Sequence, residues 1–142
     1  SYWTPMDTYP LMDWAHIREM AKYGFDIQNH TSTHSDLTAL DDREAERQIT
    51  ESREAIEDLI GFPVSLLSYP FGRFNASIMH ITEQAGYRYA YAAGMSCNAD
   101  YCIERLPVFE RDGITRFTLK SGGWGSWIRH MNNLSRSCSG SI

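Results

Sequence analysis

Residues 24–37 read GFDIQNHTSTHSDL. Phe25 to Gln28 alternates apolar and polar side chains, as a short strand does. From Asn29 the chain turns to loop chemistry. Two of the five histidines, His30 and His34, fall inside one five-residue window. Whether a strand feeds this loop decides the fold, because the segments on either side are helical in pattern.

Upstream, PLMDWAHIREMAKYG (10–24) reads as a helix. Asp13 is placed to cap its start, Ile17, Met20 and Ala21 form an apolar stripe, and Gly24 suits the first position past its end. Downstream, DDREAERQITESREAIEDLIG (41–61) is the clearest helix. Asp41 and Glu44 have capping-box spacing. Ala45, Ile49, Ser52, Ile56 and Leu59 step along one face, and the acids read as the solvated face. Gly61 and Pro63 end it. VSLLSYP (64–70) follows as a buried strand, then a helix over 76–86 capped by Asn75 and closed by Gly86, then a Tyr-rich strand over 87–93. RLPVF (105–109) is a candidate strand, and ITRFTLKS (114–121) a strand or short helix.

Helix–strand alternation of this kind favours parallel strands with helical crossovers, an α/β sheet or barrel. Sites in such folds gather where strands end and loops begin. His30 and His34 follow one expected strand. Tyr69, Pro70, Phe71, Gly72 and Arg73 follow the next, so the two loops belong on one edge. Residues 1–120 read as one domain and 121–142 as an irregular Gly- and Ser-rich tail.

The 142 residues are 42% apolar and 22% charged, an ordinary globular balance. A net charge of −5 argues against nucleic acid as a partner, since phosphate binding needs a basic patch. No apolar run approaches the roughly 20 residues of a membrane span. Cys97 and Cys102 could close a small disulfide loop or be unrelated thiols; Cys138 stands alone.

Two imidazoles four residues apart can face one way and grip one divalent ion, although a catalytic zinc usually takes three protein ligands and a water. They can equally be polar loop residues. Pro70 makes a rigid turn at the strand end. The Phe71 amide after it could serve as an oxyanion donor.

Together NHTSTH (29–34) and SYPFG (68–72) resemble the paired motifs of the polysaccharide deacetylases, the NodB-homology domain of carbohydrate esterase family four. The resemblance covers roughly residues 10 to 120. It implies a distorted (β/α) barrel, a divalent metal that is usually zinc, and removal of acetyl groups from N-acetylglucosamine units of a polysaccharide. His30 and His34 would be metal ligands, with the Phe71 amide stabilising the oxyanion. Tyr69, Pro70 and Phe71 are expected to face substrate. An extracytoplasmic or secreted location, at the cell envelope, follows by the same resemblance.

The chain departs from the family pattern in three places. The family's first strand ends in an Asp-Asp pair that supplies the catalytic base and the third metal ligand. No such pair precedes His30, and Asp41–Asp42 comes too late. Asp7, Asp13 and Asp26 stand singly. The chain therefore reads as an incomplete, inactive fragment, a partial barrel with its first strand missing. Ser68 stands where the family often has Arg, leaving Arg73 or Arg105 as substitutes. The motif supplying the acid histidine is not evident: His16 and His80 lie in helices and His130 in the tail. A non-catalytic glycan-binding domain on the same scaffold is the rival reading. An unrelated α/β hydrolase is disfavoured by the lack of G-x-S-x-G.

Overall fold

The computed structural model describes residues 11–94, 99–109 and 112–124. Its longest element is helix α2, Asp42–Ile60. The Asp41 side chain accepts from the Glu44 N–H, and Gly61 closes the helix at φ 75°. Helix α1, Trp14–Lys22, starts at Asp13, whose carboxylate takes the His16 N–H. Its expected stripe, Ile17, Met20 and Ala21, is half-buried, and no α1 residue is fully buried. Helix α3, Ala76–Gln84, is capped by Asn75.

Three strands, β1 (Leu66–Ser68), β2 (Tyr89–Ala93) and β3 (Ile103–Arg105), form a parallel sheet in that order. The crossover between β1 and β2 contains α3, as parallel pairing requires. Register places Ser68 beside Tyr91 and Tyr91 beside Ile103. Side chains alternate across the sheet, so the two faces differ. Leu67, Ala90 and Ala92 are buried in one core with Ala45 and Ile49 of α2 and Ile78 of α3. Ser68, Tyr91 and Arg105 share the opposite face, which is more open.

Two expectations change, and one left open is resolved. Residues 25–28 form no strand; one parallel bridge, Asn29 to Leu67, stands in its place. The reason is a side-chain contact distant in sequence. The Gln28 side-chain oxygen accepts the N–H groups of Ser65 and Leu66 at 3.1 and 2.9 Å, so a side chain takes donors that a neighbouring strand would engage. The third strand comes earlier than expected, at 103–105, and stops before Pro107, which cannot donate to a ladder. Residues 114–121 prove helical. Helix α4, Ile114–Leu119, continues as a π turn over Lys120–Trp124, and Lys120 ties it back through the Pro107 carbonyl and Asp112. The tail beyond 124 lies outside the described residues. Cys102 is buried and disulfide-bonded; Cys97 and Cys138 lie outside the described residues.

Gly72 sits at φ 68°, and a Cβ there would lie 2.4 Å from the Ala93 carbonyl oxygen and 2.6 Å from its nitrogen. Gly61 has a similar φ but open space around it. Gly72→Ala is expected to destabilise the fold by at least about 2 kcal/mol, a left-handed alanine plus overpacking. Gly61→Ala should cost only about 1 kcal/mol. Urea denaturation of the two variants measures the difference; equal losses would show that the approach to Ala93 is not tight.

Candidate active site

The His30–His34 loop leaves the sheet edge at Asn29. The Asn29 N–H donates to the Leu66 carbonyl at 3.1 Å, and its own carbonyl accepts from Ser68 at 3.0 Å. Its amide group is buried. It donates to the Ile49 carbonyl at 3.0 Å and to the Tyr87 hydroxyl, and it accepts the Thr31 N–H at 3.0 Å. Thr31 and His34 then take left-handed backbone conformations, φ 71° and 55°, uncommon without glycine. The Thr31 hydroxyl is buried with no partner among the described residues. The loop is thus held in a costly shape, of the kind found at functional sites.

The result is a pair of imidazoles sharing one space. Their ring centroids are 4.8 Å apart at 72°. The Phe71 ring meets His34 edge-on at 4.7 Å. Phe71 too is left-handed, at φ 57°, within the 3₁₀ turn Pro70–Gly72. This turn follows β1, so the second motif lies against the first.

His30 Nδ1 lies 2.6 Å from the Ser68 carbonyl oxygen. A carbonyl only accepts, so Nδ1 carries the proton and Nε2 of the neutral ring keeps its lone pair. This is the arrangement by which metal-ligating histidines are usually oriented. Partial burial pushes the His30 pKa below its ordinary 6.5, outweighing the Ser68 bond, with the neighbouring His34 and Arg105 adding to the fall. The chemistry of this donor set suits a divalent ion. Among the described residues no group of three or more His, Cys, Asp or Glu joins it.

Arg105 reaches from β3 to the Ser68 hydroxyl at 2.6 Å. With His30, Ser68, Tyr91, Leu66 and Gln28 it lines a cleft of about 410 Å³. Arg73 is engaged elsewhere, donating to Asp36 at 2.6 Å. Tyr69 does not face a ligand. It is 2% exposed, stacked on Phe74, and bonded through its hydroxyl to Thr82 and to the Tyr101 carbonyl. Burial pushes its pKa up to about 12. Pro70 is buried as well, so these two shape the turn, and only Phe71, 55% exposed, presents a surface. Sequence reading missed Gln48 and Asn29, whose buried side chains fasten the histidine loop. The available signal was a polar residue, Gln48, on the helical stripe that runs through Ala45 and Ser52.

The family model described as polysaccharide deacetylase matches residues 3–90, more than half of the chain. The chain belongs to the polysaccharide deacetylase family. This deacetylase domain is 36% identical over 72 residues to a chitooligosaccharide deacetylase of Rhizobium leguminosarum bv. trifolii, a match covering 51% of the chain and 34% of that protein. Its fold matches the Streptococcus pyogenes deacetylase PplD, solved in complex with acetate, with a TM-score of 0.69 and 18% identity over 80% of the chain and 52% of that structure. A Bacillus cereus polysaccharide deacetylase superposes with a TM-score of 0.68 at 24% identity, over 79% of the chain and 37% of that structure. The described sheet and helices are therefore part of the α/β barrel of NodB-type deacetylases. The domain spans about a third or less of the curated relatives it matches.

In an NMR pH titration of the metal-free chain, His30 is expected to titrate below 6.5. Its folded-state value is depressed, so the unfolded chain binds more protons beneath 6.5. Stability should therefore rise with pH through that window and be lost as pH falls. A midpoint at or above 6.5 would show that the ring is not desolvated.

Proposed function

We propose that this domain holds the metal-binding part of a divalent-metal-dependent hydrolase that removes N-acetyl groups from a polysaccharide containing N-acetylglucosamine. The observation that carries the reading is the His30–His34 pair, with His30 Nδ1 committed to Ser68 and Nε2 left as a ligand. His30 and His34 would hold the ion, zinc by family resemblance. When bound, such an ion acidifies a coordinated water and polarises the amide carbonyl of the substrate.

The other groups act around that pair. The Phe71 amide, in the turn whose ring packs on His34, is the candidate donor to the oxyanion that forms as the acetamide carbonyl is attacked. Arg105 is the better candidate to substitute for the arginine that the family often has where this chain has Ser68. It comes from a different strand and donates to the Ser68 hydroxyl at 2.6 Å. There it offers positive charge beside His30, suited to orienting a carboxylate or the developing anion. Arg73, paired with Asp36, is the poorer candidate.

Zinc titrated into the chain should bind at one site, and His30→Ala or His34→Ala should weaken binding at least about tenfold. Isothermal titration calorimetry reads this directly. Acetate release from a chito-oligosaccharide, measured with and without zinc, tests the chemistry. Release that persists without metal and survives His30→Ala would overturn the proposal. A chain that binds the oligosaccharide but no metal would be a glycan-binding module on this scaffold.

We also propose an extracytoplasmic location. A polysaccharide substrate and a disulfide-bonded Cys102 both favour an oxidising compartment. Thiol titration of the denatured, unreduced protein from such a compartment should find one free thiol per chain, rising to three on reduction. Three before reduction would reject the bridge.

A further inference from the structure

Gln48 lies in the middle of α2, one turn past Glu44, and is 3% exposed. Its side-chain oxygen accepts two hydrogen bonds from one residue of the histidine loop, the Thr33 N–H and the Thr33 hydroxyl, both at 3.0 Å. Its backbone carbonyl accepts the Ser32 N–H at 3.2 Å as well. The Ser52 hydroxyl donates to the same carbonyl at 2.7 Å, so Ser32 shares this acceptor with the helix. The residues it grips sit between Thr31 and His34, the two left-handed positions of the loop.

The orientation of the Gln48 amide is settled by its other end. Nε2 donates to Glu44 Oε1 at 3.0 Å. Glu44 is held in turn by Arg47, at 2.8 and 2.7 Å, which lowers its pKa to about 2 and keeps it an acceptor only. An amide turned the other way would set oxygen against carboxylate and nitrogen against the Thr33 N–H. The oxygen therefore faces the loop.

We propose that Gln48 is a positioning residue for the His30–His34 pair, acting through Thr33 to keep the loop in the strained shape that brings the two rings together. Gln48 touches neither ring. Its effect passes from Arg47 through Glu44 and the amide to the loop backbone. The claim that this serves ion capture rests on the proposed function; the claim that it sets the loop does not.

The test separates the two. Gln48→Met keeps the side-chain volume and removes the acceptor. The exchanged pair Glu44→Gln with Gln48→Glu restores an acceptor toward Thr33 and a donor behind it. In the metal-free chain, Gln48→Met should speed Thr33 amide hydrogen exchange at least tenfold. It should also move the imidazole resonances of His30 and His34, while the amides of α2 beyond Ser52 stay protected. The exchanged pair should bring both readouts back toward the starting protein. Cobalt(II), followed by its visible absorption, should bind about tenfold or more weaker to Gln48→Met and recover in the exchanged pair. Unchanged Thr33 exchange in Gln48→Met, or no recovery in the exchanged pair, overturns the positioning role. If the starting protein shows no cobalt band, the metal reading fails, and the Thr33 and imidazole readouts still decide the role of Gln48. Should Gln48→Met not fold, Glu44→Ala frees the amide to turn, and unchanged Thr33 exchange in that variant overturns the proposal equally.

Discussion

One buried primary amide joins the parts of this domain. Asn29 bridges to β1 through its backbone, and its side chain binds the α2 carbonyl of Ile49, the Tyr87 hydroxyl and the Thr31 N–H. Both donors and the acceptor of the amide are used, as burial demands. The sheet edge, the long helix and the segment leading into β2 thus meet at one side chain. The histidine loop takes its direction from the same point. Tyr87, also bonded to the Ile49 carbonyl at 3.0 Å, is pushed up to about 12 by burial and stays a neutral hydroxyl.

Local strain in the described residues is concentrated at the site. The non-glycine residues with positive φ are Thr31, His34 and Phe71, and all three lie on the two loops beside the imidazole pair. Each costs free energy that the surroundings must offset. Behind the first loop stand Asn29 and Gln48. Behind the second stands the close approach of Gly72 to Ala93, which draws the turn onto the end of β2. The loops are supported by different elements and meet where the Phe71 ring touches His34.

The helices were legible in the sequence because their ends are marked by local chemistry. Asp13, Asp41 and Asn75 each cap a helix through an N–H within four residues, so short-range reading finds them. The first strand was misread because Phe25–Gln28 has the right alternation while the pairing is decided by a side chain, Gln28, bonded to residues 37 and 38 positions away. The two histidines and the Pro70 turn were visible as motifs. Tyr69 was not separable from them: it belongs to the motif but alternates into the core. Gln48 and Arg105 reach the site across 15 and 37 positions of chain; a polar residue on the apolar stripe of α2 hints at a buried role for Gln48 without naming its partner, and nothing local separates Arg105 from Arg73.

The bond from His30 to the Ser68 carbonyl has a consequence for proton accounting. An imidazole must be neutral to donate a lone pair, and many sites therefore release a proton when an ion arrives. Here the ring is biased neutral by burial, and its single N–H is already assigned to the Ser68 carbonyl. At neutral pH an ion reaching Nε2 displaces little proton from His30 and asks for no change of tautomer. The heat of capture at this ligand should then depend only weakly on the ionisation enthalpy of the buffer.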